Sequence, residues 1–371
     1  MRIVSVEARP WTLSLVAPFA IARRTAYAAH NVQIVVRTED PQLTGWGESA
    51  PVAYVTGESV HSVQEALGQA AALLEGQSVD RLGPLWARAA EALPHAPSAR
   101  AGLEMALADA WGKRWEMPLW QHFGGRKTTL ATDTTVPLVS PEQAGVLAGE
   151  AWRAGFGALK IKVGDPEGHE ADLARIAAIV QAAPQARLRI DANQAFTPAS
   201  AVAFMQAVLR TGALVDLLEQ PVAKEDVPGL KYVKARISVP LLADEAARDV
   251  AQVVHLLKED AVDGINVKLM KSGLAGAVQI AALCRAWGKK LMLGCMLESG
   301  LGIAAAAQMA GGLGAFDFLD LDSHRLLSPV AGLSGGFGCA GGDIVVGEDL
   351  VMGGESGLAA GWGVTVPEAC E

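Results

Sequence analysis

Ionisable residues recur at one kind of position in the second half of this 371-residue chain. Short apolar runs end in Lys160-Ile-Lys162, in Asp191 followed by Asn193, in Glu219, in Asp244, in Lys268 and in Asp320-Leu-Asp322. From 162 to 191, 219, 244 and 268 the steps are 24 to 29 residues, the length of one strand-plus-helix unit. A lone Asp or Lys at a strand end is ordinarily a solvated turn residue or a helix cap. Five at matching positions on consecutive strands are harder to leave as that, because gathered charges are costly unless a metal or ligand compensates them. On neighbouring strands Asp191, Glu219 and Asp244 supply three hard oxygen ligands. That set suits Mg²⁺ or Mn²⁺, and the lack of His argues against zinc. In an eight-strand barrel Lys162 and Lys268 stand four strands apart and face each other across the axis. Two bases flanking a divalent ion suit removal of the α-proton of a bound carboxylate from one side and its return from the other. The net result is inversion at the α-carbon.

The elements that must position these residues read as follows. From Thr128 onward strands and helices alternate, with strands expected at Leu130–Val136, Ala158–Val163, Arg187–Asp191, Val215–Glu219, Val239–Asp244, Val262–Lys268, Lys290–Cys295 and Phe316–Leu321. Eight strands in strict alternation with helices predict an α/β fold, a (β/α)8-type TIM barrel whose C-terminal face carries the site. Ser140-Pro141-Glu142-Gln143 has the form of a helix start with Pro at its first position and a capping box. Residues 1–125 read as an α+β lobe, with strands at Arg2–Glu7 and Asn31–Arg37 and helices over Glu58–Leu74, Arg81–Leu93 and Ser98–Trp115. The barrel is expected over 126–340. The Gly-rich tail, 341–371, is expected to return to the first lobe.

Hydrophobic residues make up 51% of the chain and charged residues 19%, which excludes disorder and allows a large core. The formal charge of −9 argues against a nucleic-acid or anionic-membrane partner. The cysteines, Cys284, Cys295, Cys339 and Cys370, form no CxxC pair and read as free thiols of a reducing compartment. The N-terminus alternates like a strand rather than forming a signal peptide, and a cytoplasmic location is expected.

The motifs Lys160-Ile-Lys162, Asp191-Ala-Asn193, Glu219-Gln-Pro221, Ala243-Asp244-Glu245 and Asn266-Val-Lys268 resemble the muconate-lactonizing-enzyme subgroup of the enolase superfamily. Gly45-Trp46-Gly47-Glu48 and Gly124-Gly125 fit as well, and the resemblance covers nearly the whole chain. It implies the enolase-like modified barrel with an N-terminal α+β capping domain completed by the C-terminal tail. Within the subgroup the chain resembles dipeptide epimerases, whose D-x-D holds the substrate's α-ammonium; here that is Asp320 and Asp322. The resemblance implies that Lys160 contacts the substrate carboxylate with Asn193 in support, and that Thr135 touches the substrate. The segment from Pro18 to Thr25 is similar to a mobile loop of L-Ala-D/L-Glu epimerases, in which Arg24 would bind an acidic second side chain. Where some Ala-Glu epimerases place a basic residue after Glu298-Ser299, Gly300 stands here. Met296 and Glu298 are expected to line the substrate site, with Cys295, Met296 and Leu297 offering an apolar wall. The expected partner is a small dipeptide and the expected assembly a homo-oligomer. The implied setting is recycling of cell-wall peptides. Alternatives in the subgroup are o-succinylbenzoate synthase and muconate cycloisomerase, which need no D-x-D. Outside enzymes, the alternative is a metal-dependent small-molecule binder, for which paired bases would be superfluous.

Two motifs lack their context. Gly336-Phe-Gly338-Cys-Ala-Gly341 matches G-x-G-x-x-G but follows a loop rather than a strand. Gly332-Leu-Ser334-Gly-Gly336 matches G-x-S-x-G, yet no His follows it in the chain.

Overall fold

The computed structural model describes residues 1–22, 24–352, 355–356 and 359–367. Cys370 and Arg23 lie outside the described residues. The first lobe is built on an antiparallel sheet of β1 (Ile3–Ile21), β2 (Arg24–Thr38) and β3 (Gly45–Ser49), in the order β1-β2-β3. The first two strands are far longer than their apolar cores at 2–7 and 31–37 suggest. β1 is an edge strand, so Pro10 and Pro18 interrupt no ladder on a second side. Pairing runs out to Ile21 opposite Arg24, so the expected loop at 18–25 is the closed end of a hairpin. That end reaches over the barrel: the Leu138 amide donates to the Ala20 carbonyl and the Ser328 amide to the Ser14 carbonyl.

The helices of the lobe follow from sequence. After a short turn of helix, α1 (Ala53–Thr56), Ser59 caps α2 (Val60–Leu74) in a capping box with Ser62. The buried face of α2 is Val63, Leu67, Ala70 and Leu74, spaced as one helical stripe. Burying each of the larger side chains contributes about 1.5–3 kcal/mol. α3 (Leu82–Ala92) leads to α4 (Pro97–Arg114), which is buried on nearly every side between sheet and barrel. The glycines of Gly45-Trp46-Gly47 let β3 lie directly on α4: a Cβ at Gly47 would collide with the Gly102 carbonyl, and one at Gly45 with that of Ala106.

After α5 (Leu119–His122) and β4 (Thr129–Ala131) comes the barrel. Its strands are β5 (Thr134–Val136), β6 (Ala158–Lys162), β7 (Arg187–Asp191), β8 (Leu214–Glu219), β9 (Leu241–Ala243), β10 (Gly264–Lys268), β11 (Lys290–Gly294) and β12 (Phe318–Asp320). They form one parallel sheet in sequential order. The seam between β5 and β12 is drawn together by the Asp133 amide on the Leu319 carbonyl and the Leu321 amide on Thr132 Oγ1. The result is a nearly closed eight-stranded barrel with the enolase-like architecture. Between its strands lie α6 (Pro141–Arg153), α7 (His169–Ala182), α8 (Pro198–Arg210), α9 (Val227–Lys234), α10 (Val250–Lys258) and α11 (Leu269–Ala286), and α6 starts with the expected Ser140–Gln143 capping box.

The expected first barrel strand, 130–136, divides. Its first part, β4, pairs antiparallel with the tail at Asp343–Val345, and only residues 134–136 enter the barrel. The break falls at Thr132-Asp133, whose polar groups bond to Leu319 and Leu321 across the seam. Further along the tail, Trp362 enters the first lobe: its amide donates to Asp109 Oδ1 and its indole Nε1 to the Met105 carbonyl. No helix among the described residues is long and apolar enough to cross a membrane.

Candidate active site

Strand register brings the ionisable residues together. Lys162, Asp191 and Glu219 are direct neighbours across β6, β7 and β8. Asp244 follows β9 by one residue, Lys268 ends β10 beside Gly294, and Gly294 is in turn beside Asp320. All of these side chains are buried, at the C-terminal end of the barrel. Lys162 and Lys268 stand on β6 and β10, four strands apart, and approach the carboxylates from different sides. Lys162 Nζ lies 2.6 Å from Asp191 Oδ2, and Lys268 Nζ 2.9 Å from Asp244 Oδ2. Lys160 lies deeper, with Nζ 2.6 Å from Asp320 Oδ2, 2.9 Å from Glu219 Oε2 and 3.2 Å from Asp191 Oδ2.

This charge lattice sets the protonation behaviour. Despite its burial, Asp191 is held down to about 2 by Lys162 and Lys160. Against the same burial, Lys268 and Lys271 keep Asp244 well below the usual carboxylate range. Glu219 goes the other way: burial and the charges of Asp191 and Asp244 push it up to about 7. Burial and Asp320 raise Asp322 to about 6. Lys160 stays above its ordinary value despite burial, because Asp320, Glu219 and Asp191 surround it.

The donor chemistry of Asp191, Glu219 and Asp244 fits a hard divalent cation. They are three buried carboxylates with no thiolate or imidazole, and their mutual repulsion is the kind that a cation relieves. Among the described residues no three such groups meet at metal-ligand spacing. The ammonium groups of Lys160, Lys162 and Lys268 stand against them instead. Behind the carboxylates, Asn266 Nδ2 donates to Glu219 Oε1 at 2.7 Å, the Asn193 amide to Asp191 Oδ1 at 3.0 Å, and the Asp244 amide to Gln220 Oε1 at 3.0 Å.

A cavity opens above this floor. Its lining includes Lys162, Lys268, Asp244, Asn193, Thr135, Asp320 and Asp322 from the barrel, and Phe19, Ile21, Arg24, Val52 and Tyr54 from the first lobe. Asp320 ends β12, Asp322 follows at the start of the next helical turn, and the Thr135 amide donates to Asp322 Oδ2 at 2.6 Å. Arg24 sits at the hairpin end with its guanidinium 5.2 Å from the centre of the Tyr54 ring. Met296 and Leu297 line the cavity as an apolar wall.

Two expected contacts differ. Lys160, 1% exposed, is enclosed by its three carboxylates and does not line the cavity. Glu298 turns away from the cavity. Its Oε1 accepts the Met296 amide at 2.8 Å, and burial pushes its carboxyl up to about 8. Sequence reasoning passed over Tyr54 and Lys271. A tyrosine just after the buried β3 carries no pattern of its own, whereas a lysine opening an otherwise apolar helix does. Cys284, Cys295 and Cys339 are unbridged, as expected.

Comparison with known proteins gives the family and the fold. The family described as "Mandelate racemase / muconate lactonizing enzyme, N-terminal domain" matches residues 2–124, and "Enolase C-terminal domain-like" matches residues 143–367. The L-Ala-D/L-Glu epimerase of Bacillus subtilis is 38% identical over 331 residues, 88% of this chain and 90% of that protein. The hydrophobic dipeptide epimerase of Enterococcus faecalis is 36% identical over 340 residues, 90% of this chain and 94% of that one. The crystal structure of dipeptide epimerase from Enterococcus faecalis, complexed with Mg and L-Leu-L-Tyr, superposes with a TM-score of 0.90 at 34% identity, covering 99% of this chain and 100% of that one.

Proposed function

Because the chain belongs to the mandelate racemase/muconate lactonizing enzyme family of the enolase superfamily, we propose that it is a Mg²⁺-dependent dipeptide epimerase, an isomerase that inverts the α-carbon of the second residue of L-Ala-L/D-Glu or a related dipeptide. The observation that carries this reading is the placement of Lys162 and Lys268 on opposed strands, either side of one carboxylate cluster, beneath a cavity that also holds Asp320 and Asp322.

Asp191, Glu219 and Asp244 would hold the ion. When bound, it supplies positive charge for the substrate carboxylate and for the negative charge that develops as the α-proton leaves. Lys160, locked among Asp320, Glu219 and Asp191, keeps a fixed positive charge beneath the reacting carboxylate and orients its neighbours. One lysine of the Lys162–Lys268 pair accepts the α-proton as the C–H bond breaks. The other donates an N–H proton to the opposite face as the new C–H bond forms. Asp320 and Asp322 receive the α-ammonium of the first residue in charge-assisted hydrogen bonds, which an N-acylated substrate cannot make. Arg24, from the first lobe, is the cation available to an acidic second side chain. The surrounding Phe19, Ile21, Val52, Met296 and Leu297 equally suit an apolar one, and Gly300 adds no second cation.

The test is a library of L,L-dipeptides incubated with Mg²⁺ in D₂O and read by mass spectrometry. Deuterium should enter the α-carbon of the second residue, with the epimer accumulating. Turnover of an o-succinylbenzoate precursor without exchange of any dipeptide would transfer the chain to the lyase alternative.

A further inference from the structure

We propose that Lys271 is a positioning residue that fixes the carboxylate of Asp244 for its cation, an inference that rests on reading Asp244 as a metal ligand. Lys271 takes no part in the proton transfers and does not line the cavity. It is 3% exposed and lies in the first turn of α11 (Leu269–Ala286), one turn beyond Lys268, among Leu269, Met270 and Leu274. An ammonium has three protons to donate. All three find acceptors: Asp244 Oδ1 at 2.6 Å, the Asp244 carbonyl at 2.7 Å and the Asn266 carbonyl at 2.8 Å. Nothing is left over for solvent or substrate.

The consequence is a division of labour between the two oxygens of Asp244. Lys271 holds Oδ1, while Oδ2 stands 2.9 Å from the ammonium of Lys268, a residue that lines the cavity. Asn266, whose carbonyl Lys271 also holds, donates its side-chain amide to Glu219 Oε1. One buried ammonium thus braces Asp244 directly and Glu219 through Asn266. The turn that carries it is itself fixed. At Gly273, where φ is 69°, α11 kinks, and Glu104 of the first lobe accepts the Leu274 and Ala275 amides immediately beyond. Burying an ammonium offers little stability over an apolar side chain of similar size. Its presence at this point is therefore best accounted for by orientation.

Charge and orientation predict opposite outcomes. Removing a positive charge beside a cation site would by itself tighten metal binding. Loosening a ligand weakens it, and loss of such supporting contacts typically costs about 10–100-fold. The measurement is Mn²⁺ titration followed by the EPR signal of the free ion, on wild type, K271M and K271Q, with folding checked by circular dichroism. Wild type should bind one Mn²⁺. K271M should bind it about 10–100-fold more weakly, and K271Q, which keeps one amide donor for Oδ1, should fall between. Folded K271M that binds as tightly as wild type, or more tightly, overturns the proposal and leaves Lys271 as a tie between β9 and β10. If K271M does not fold, unchanged binding by K271Q overturns it equally. Failure of wild type to bind Mn²⁺ would instead remove the ligand reading of Asp244, and this proposal with it.

Discussion

Replacing Glu104 by Gln tests how the first lobe governs the turn that follows Lys268. Glu104 is 1% exposed on α4, and its Oε2 accepts the Leu274 amide at 2.6 Å and the Ala275 amide at 3.1 Å. Burial pushes its carboxyl up from 4.5 to about 7, against the pull of those amides and of Arg100. At 1.36 kcal/mol per pKa unit, that rise corresponds to about 3 kcal/mol. An acid whose folded pKa lies above its unfolded value holds its proton more tightly when folded. Its stabilising contribution is complete below pH 4.5 and is lost as pH rises through about 7. The side-chain amide of E104Q cannot ionise, yet it keeps a carbonyl oxygen for the two backbone amides. Between about pH 5 and 8, the urea-unfolding free energy of wild type should therefore fall by up to ~3 kcal/mol more than that of E104Q. Parallel pH profiles for the two proteins would refute the reasoning, because the carboxyl would then titrate alike in the folded and unfolded chains.

The remaining expectations concern catalysis. K162A and K268A should each lose about 10²–10⁴-fold in epimerisation. Each should still exchange the α-proton of one epimer in D₂O, and the two variants should prefer opposite epimers by NMR; a shared preference would place both lysines on one face. D322N should weaken dipeptides by about 1.5–3 kcal/mol and spare N-acylated analogues, and equal KM increases for both would remove the ammonium role. R24A should shift kcat/KM away from acidic second residues, and an unchanged ranking of dipeptides would move side-chain selection to the Tyr54 and Met296 walls.

What the sequence disclosed and what it hid divide along a physical line. The barrel was legible because its strands are mostly short apolar runs, several of them closed by a charge, and a run of that kind needs no tertiary information to be seen. Asp191 and Glu219 stand side by side through a register that the alternation already implies, and Asp244 follows the next strand. The hairpin of the first lobe was not legible at its full length. Its outer half, residues 8–21 and 24–30, is held by backbone pairing on a half-exposed edge, where side-chain pattern is weak. The division of residues 129–136 between two sheets was hidden too, since it is decided by a tail more than 200 residues away. Lys160 and Glu298 were expected at the substrate from the family resemblance, which carries over where a backbone lies. Which way a long side chain then turns is settled by its partners: three carboxylates for Lys160 and the Met296 amide for Glu298.

The first lobe does more than cover the cavity. Two of its buried glutamates reach into the barrel and take helix-start amides that would otherwise lack acceptors. Glu104 does so at the Gly273 kink in α11, one turn beyond Lys271. Glu48 does so at the helix Gly300–Leu313, where its carboxylate accepts the Ser299 and Gly302 amides and the Ser299 hydroxyl. These two helices follow the strands that deliver Lys268 and the Met296–Leu297 wall. Asn31 completes the second junction by donating to both Glu48 Oε1 and the Leu297 carbonyl. The lobe that supplies Arg24 and Tyr54 to the cavity therefore also sets the backbone on which one lysine of the pair and the apolar wall stand. A substitution in the GWGE segment that shifts β3 on α4 would move both at once. Such a variant should lose proton exchange and side-chain preference together, whereas R24A should lose only preference.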